Sequence, residues 1–327
     1  MKRREFITLV GGAAATWPLA ARAQQAKMPV LGFLVSASET RYEATRTAIG
    51  RGLNEAGFVE KRNLLIEYRW ADFRYDRLPA LAAELVARRV DVIFSTGSVV
   101  SALAAKAATT TIPIVFANGS DPVQHGLVAS LNKPGGNITG ISFINVQLVP
   151  KRLQLLKLLN PKTATIAVLV NPNNPNAADA NSFEAAGQAL GVRIFIVNAS
   201  TDVELKQAFN EAAQRGADAL LVHVDALFND QGEYQIADLA AQYRLPTMMA
   251  NDTFTGRGGL ISYAADTHDL NRHAGVYIGR ILRGEKPADL PVVQPSTFAL
   301  RVNLKTAKAL GLSIPEAFLL LADEVIE

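Results

Sequence analysis

The chain contains no cysteine, so it can hold neither a disulfide framework nor a thiolate metal site, and its stability must rest on an apolar core. Histidine is scarce, at four residues, and no His-Glu-x-x-His pattern occurs. His268 and His273 are five apart, off the i, i+4 spacing that aligns two ligands on one helix face, and His125 and His223 stand alone. There is no Gly-x-Ser-x-Gly elbow for a hydrolytic nucleophile. After the first predicted strand, Ser36-Ala37-Ser38 stands where a dinucleotide fingerprint requires glycines. No enzymatic activity, metal or cofactor is therefore expected. Apolar runs also stay short of the roughly 20 residues that span a bilayer.

The N-terminus carries an export pattern. Lys2-Arg3-Arg4 forms a basic head, Phe6 to Ala20 is apolar or small apart from Thr8, and Ala21-Arg22-Ala23 fits a signal-peptidase site. Cleavage after Ala23 is expected, which leaves Gln24 first and the mature protein in the periplasm without a membrane anchor. The paired arginines before Glu5-Phe6-Ile7 also resemble a twin-arginine signal, beside an ordinary Sec signal. Removing Lys2, Arg3, Arg4 and Arg22 from 33 basic residues, and Glu5 from 30 acidic ones, leaves 29 of each. The net charge of +3 thus belongs to the leader. A balanced mature chain has no field to attract nucleic acid or an anionic membrane.

What remains is long enough for two domains. Short Val/Ile/Phe-rich strands alternate with Ala/Leu-rich segments of helical period, the pattern of an α/β protein with a parallel sheet between helices. The order repeats. Strands at Pro29 to Val35, Asn63 to Trp70, Asp91 to Ser95 and Pro113 to Ala117 correspond to Thr165 to Val170, Val192 to Val197, Ala217 to Val222 and Pro246 to Ala250. Ile112 to Asn118 echoes Leu245 to Asn251, and Asp91 to Phe94 echoes Asp218 to Leu221. The fold expected is two Rossmann-like lobes joined by a multi-strand hinge: residues 24–143 plus about 267–327 in the first lobe, 144–266 in the second. Chain crossings are expected near Phe143 to Gln147 and Tyr263 to Thr267, with a third near Ser296 to Phe298. Such a hinge makes a cleft that can close.

The stretch Asn118-Gly-Ser-Asp-Pro-Val-Gln-His-Gly-Leu-Val-Ala-Ser-Leu-Asn-Lys-Pro-Gly-Gly-Asn-Ile-Thr-Gly140 resembles the signature of a family of ABC-transporter substrate-binding proteins. That family is similar to the type I periplasmic binding proteins, and its better-understood members take aromatic amino acids such as tryptophan. The resemblance runs from about Met28 to Phe318. It implies an extracytoplasmic solute-binding component of an ABC importer, a monomer whose partners are a small-molecule ligand and a permease. A sensor that hands its ligand state to a membrane receptor, and a binder of aromatic acids or another small organic solute, are the alternatives.

Ligands of open parallel sheets bind beyond the carboxyl ends of the strands. On the first lobe those positions are Ser36 and Ser38, then Ser95, Thr96 and Ser98, then Asn118. Ser95 to Ser98, opening a helix near Val99, offers backbone N–H groups to a carboxylate, or else Ser98 merely caps that helix. On the second lobe they are Asn171, Asp225 and Asn251. Asp225 is the expected partner of a ligand ammonium, with a helix cap or a solvated loop acid as its plainer roles. Tyr42, Phe143 and Phe228 are candidates for an aromatic wall. Asp121-Pro122 is expected to start a helix.

Overall fold

A computed structural model of the chain describes residues 28–174, 180–229 and 231–327. The segment expected to be an export leader, residues 1–23, lies outside them, as do Pro175 and Asn176 and also Ala177, where the helical period of the sequence predicts the next helix to begin.

The first sheet has the order β2-β1-β3-β4-β5 and is parallel throughout. Its strands are β1 (Val30–Val35), β2 (Leu65–Trp70), β3 (Val92–Thr96), β4 (Ile114–Asn118) and β5 (Ile138–Ser142). β3, β4 and β5 are buried along their whole length, which is why they read as unbroken apolar runs. Helices α2 (Leu78–Ala87) and α3 (Val99–Ala108) cover one face, with Leu85, Ile93, Phe116 and Val99 in the contact. The other face packs Leu31, Phe33, Phe94 and Val115 against α1 (Glu43–Glu55) and a helix from much later in the chain.

After β5 the chain enters the second lobe through α4 (Val149–Leu159), β6 (Thr165–Val170), α5 (Ala180–Leu190), β7 (Arg193–Asn198), α6 (Asp202–Gln214), β8 (Ala219–Val222), α7 (Gln231–Tyr243), β9 (Thr247–Met249) and β10 (Ile261–Ala264). The order β7-β6-β8-β9-β10 reproduces the first sheet strand for strand, and the echoing segments at Ile112 and Leu245 lead into the equivalent strands β4 and β9. Buried Phe209, Phe228 and Phe254 fill one face, and Leu153, Val168 and Phe183 the other.

The tail corrects the expected division. Helix α8 (Thr267–Leu282) does return to the first lobe, where it lies along α1. Backbone contact there is close: a Cβ on Gly52 would stand 1.8 Å from the Arg272 carbonyl oxygen, and one on Gly275 2.1 Å from that of Ile49. Val293 then hydrogen-bonds beside β5, donating to Gly140 O at 3.0 Å and accepting from Ser142 N at 2.9 Å. Past it the chain crosses once more, and β11 (Ala299–Asn303) runs antiparallel to β10, followed by α9 (Leu304–Leu310), α10 (Glu316–Leu319) and β12 (Glu324–Ile326) parallel to β11. The last 29 residues therefore complete the second sheet, to seven strands, because β10 would otherwise leave a bare ladder edge. Asp121-Pro122 is a second correction. Asp121 accepts from Val123 N and Gln124 N as a cap does, at 2.8 and 3.1 Å, but only turns follow.

Candidate functional site

Three crossings join the lobes, at residues 143–148, 265–266 and 294–298. At the first, Ile144 takes φ +46°, a conformation that a β-branched residue adopts only under constraint. The constraint is Arg152 on α4. Its guanidinium is 1% exposed and donates to Asn145 O at 2.6 Å, Asn145 Oδ1 at 3.0 Å and Tyr263 O at 2.9 Å. One side chain thus ties the first crossing to the strand that feeds the second. Burial lowers its pKa to about 9, so it stays cationic at neutral pH.

Between the lobes lies a cleft of about 1010 Å³, open mouth included. The first lobe supplies Tyr42, Thr96, Gly97, Asn118 and Gly119, with Thr267 and His268 from the start of α8; the second supplies His223, Val224, Asn251, Thr253 and Arg257; the first crossing supplies Phe143 and Asn145. Gly97, at φ +86°, is required where the β3 to α3 turn passes Ser36: a Cβ there would lie 2.5 Å from Ser36 Oγ.

Of the polar residues expected from sequence, Thr96, Asn118 and Asn251 line this cleft, and the others do not. Ser36 and Ser95 are fully buried, with hydroxyls that find no hydrogen-bond partner. Ser38 faces Thr40 at 3.4 Å at the rim. Ser98 takes its plainer role, capping α3 by accepting from Val100 N at 3.1 Å. Phe228 belongs to the second-lobe core, whereas Tyr42 and Phe143 do form an aromatic wall. Tyr42 also hydrogen-bonds Thr96 through its hydroxyl.

Asp225 is the main correction. It is 2% exposed, and its two oxygens already accept four hydrogen bonds: from Tyr75 Oη (2.8 Å), Asn171 Nδ2 (3.1 Å), Asn174 Nδ2 (2.7 Å) and Leu227 N (2.9 Å). Burial raises its pKa, and the donors pull it back. Three of the donors belong to its own lobe, which consumes Asn171 as well. The fourth, Tyr75, comes from the first lobe, so the group expected to hold a ligand latches one lobe to the other. Burial beside that carboxylate pushes the Tyr75 phenol well above its ordinary value. The turn that delivers Tyr75 carries Asp72 and Phe73 at φ +52° and +62°, and the Phe73 ring packs against both cores.

The second acid near the cleft is spent in the same way. Glu233, fully buried, accepts from Asn251 Nδ2 and from Thr253 Oγ1 at 2.7 Å, and pairs with Arg257 at 3.3 Å. His223, in the second-lobe wall, stands edge-on to Phe183 at 5.3 Å. Burial and the Arg152 charge lower its pKa to about 4, so it is neutral at pH 7. Sequence reasoning missed Asn145, Arg152, Gly119, Arg257, Thr267 and His268. The signal for half of them was available, since Asn145 and Thr267 occupy segments where crossings were expected and Gly119 follows Asn118.

Two doubly wound lobes, three crossings and a polar cleft at the strand ends define a type I periplasmic binding protein fold. The chain belongs to the family of ABC transporter substrate binding proteins, whose model it matches over residues 23–326. It is 28% identical over 263 residues to a tyrosine-binding protein of Clostridioides difficile, covering 80% of this chain and 75% of that one. A domain solved with L-Trp from Streptococcus pneumonia is 28% identical, with a TM-score of 0.78 over 90% of this chain and all of the other. A ligand-free, open substrate binding protein from Clostridium difficile, also 28% identical, aligns over 91% of this chain and 99% of its own with a TM-score of 0.62. Among the described residues, no helix is long and apolar enough to cross a membrane.

Proposed function

We propose that this chain is the extracytoplasmic solute-binding component of an ABC importer. Exported by residues 1–23 and acting as a monomer in the periplasm, it captures a small organic solute in the cleft, closes about the three crossings, and presents the closed form to a permease. The cleft between equivalent strand ends of two lobes is the observation that carries this reading. Tyr42 and Phe143 offer a ring-shaped solute an apolar wall, while Thr96 and Asn118 from one lobe and Asn251 from the other supply polar contacts. Solutes of aromatic amino-acid size fit relatives that bind tyrosine or L-Trp. Closure takes the solute out of water, and no covalent step is needed.

A thermal-shift screen of the protein from Gln24 onward, against amino acids, aromatic acids, sugars and oligopeptides, tests this. A solute at about a hundred times its Kd stabilises the protein by roughly 2.7 kcal/mol, a readable rise in Tm. No shift with any class would count against a solute-binding role.

A further inference from the structure

The charges around the cleft are not those of a site for a zwitterion. A buried ammonium needs a carboxylate with a free lone pair. Asp225 has four donors on its two oxygens, and Glu233 is held by Asn251, Thr253 and Arg257. Among the described residues that line the cleft there is no carboxylate, and those with ionisable side chains are Tyr42, His223, Arg257 and His268; Asp252, outside the lining, accepts from Thr267 Oγ1 at 2.8 Å.

Behind the hinge end of the cleft, Arg152 is a buried cation whose three hydrogen bonds all go to neutral oxygens. Such a charge is costly unless an anion comes near it. Because Asn145 Oδ1 accepts from Arg152, the Asn145 amide must turn its N–H donors the other way. Its Nδ2 stands 3.3 Å from where a Cβ of Gly119 would be, at the cleft wall. Asn118, 4% exposed, uses its Oδ1 to accept from Ser120 N at 3.1 Å, which leaves its Nδ2 buried and without an acceptor. Two amide donors and a cation in line behind one of them call for an acceptor with negative charge.

We propose that the cleft selects solutes carrying a carboxylate and no ammonium group, with Arg152 supplying the compensating charge behind the Asn145 amide. This rests on the cleft being the solute site. Matched pairs that differ only in the ammonium group test it by calorimetric titration of the protein from Gln24 onward: phenylpropionate against L-phenylalanine, hydroxyphenylpropionate against L-tyrosine, indolepropionate against L-tryptophan. The expected result is that the deaminated acid binds at least about tenfold more tightly in a pair that binds, and that phenylpropionamide binds no better than the amino acid. Equal or tighter binding of the amino acids overturns the proposal, as does an amide that binds like its acid. If no pair binds while a neutral or cationic solute shifts Tm in the broader screen, the proposal fails and the solute-binding reading stands; silence in both removes both. Asn145→Asp checks the part played by Arg152, since the new carboxylate pairs with the guanidinium and keeps the fold. Acid binding weakened about tenfold or more with Tm maintained supports that part; unchanged acid binding overturns it.

Discussion

The two lobes share a strand order but not a way of being held together. The first is a five-stranded sheet whose face toward α1 and α8 leans on an aromatic cluster: Phe33 lies 4.9 Å from Phe94 and 5.1 Å from Tyr68, and Tyr68 stacks on Trp70 at 5.6 Å. The second has seven strands and gathers the buried arginine, histidine and acids, Arg152, His223, Asp225 and Glu233. Shape comes from one lobe and electrostatics from the other. The repeat constrains topology, because strand order follows from the local chain, and leaves each lobe free to evolve its own interior.

The largest effect that sharpens this contrast is expected at the α1–α8 contact of the first lobe. Gly52→Val puts atoms where the Arg272 carbonyl stands, so helices must part, at a cost of about 3 kcal/mol in urea unfolding. Acid sensitivity should belong to the second lobe. The unfolded chain takes up a proton at His223 near pH 6.5, whereas the folded one waits until about pH 4. Stability is therefore complete above that range and drains as pH falls through it, by at most about 3 kcal/mol, and His223→Gln should flatten the dependence of the urea midpoint on pH between those limits. Asp225→Asn leaves one acceptor oxygen facing four donors and should cost about 2 kcal/mol in thermal unfolding, while Tyr75→Phe, which removes only the bond between lobes, should cost about 1 kcal/mol and raise the radius of gyration measured by X-ray scattering. The smallest change is expected at Gly187 on α5. A Cβ there meets the Ile194 side chain at 2.7 Å and the Val192 carbonyl at 3.0 Å, so yielding of the side chain and better helix propensity should hold Gly187→Ala within about 1 kcal/mol. Equal losses at Gly52 and Gly187 would break the contrast between the lobes.

Alternation of buried strands with amphipathic helices made the core of both lobes legible in the sequence, and the equivalence of β4 with β9 could be read from Ile112 to Asn118 against Leu245 to Asn251. Three things were not legible. The tail's membership depends on which sheet edge needs a partner, which no segment between Ala299 and Ile326 states about itself. The fate of Asp225 depends on Tyr75, 150 residues away, and on two asparagines of a run that reads as a simple turn. Arg152 follows Pro150 and Lys151 at the start of a helix and looks like any solvated cation until the crossings fold over it. Local pattern fixes elements, whereas the occupancy of a buried carboxylate is decided by distant donors.

Trp17 falls within the proposed leader, which makes Trp70 the single indole of the exported protein. Its ring lies 6.0 Å from that of Tyr42, edge to face, and Tyr42 lines the cleft. A solute pressed against Tyr42 thereby changes the surroundings of one chromophore through a single intervening ring. On the proposed function, the exported protein would carry its own optical gauge of occupancy, readable in emission without any label.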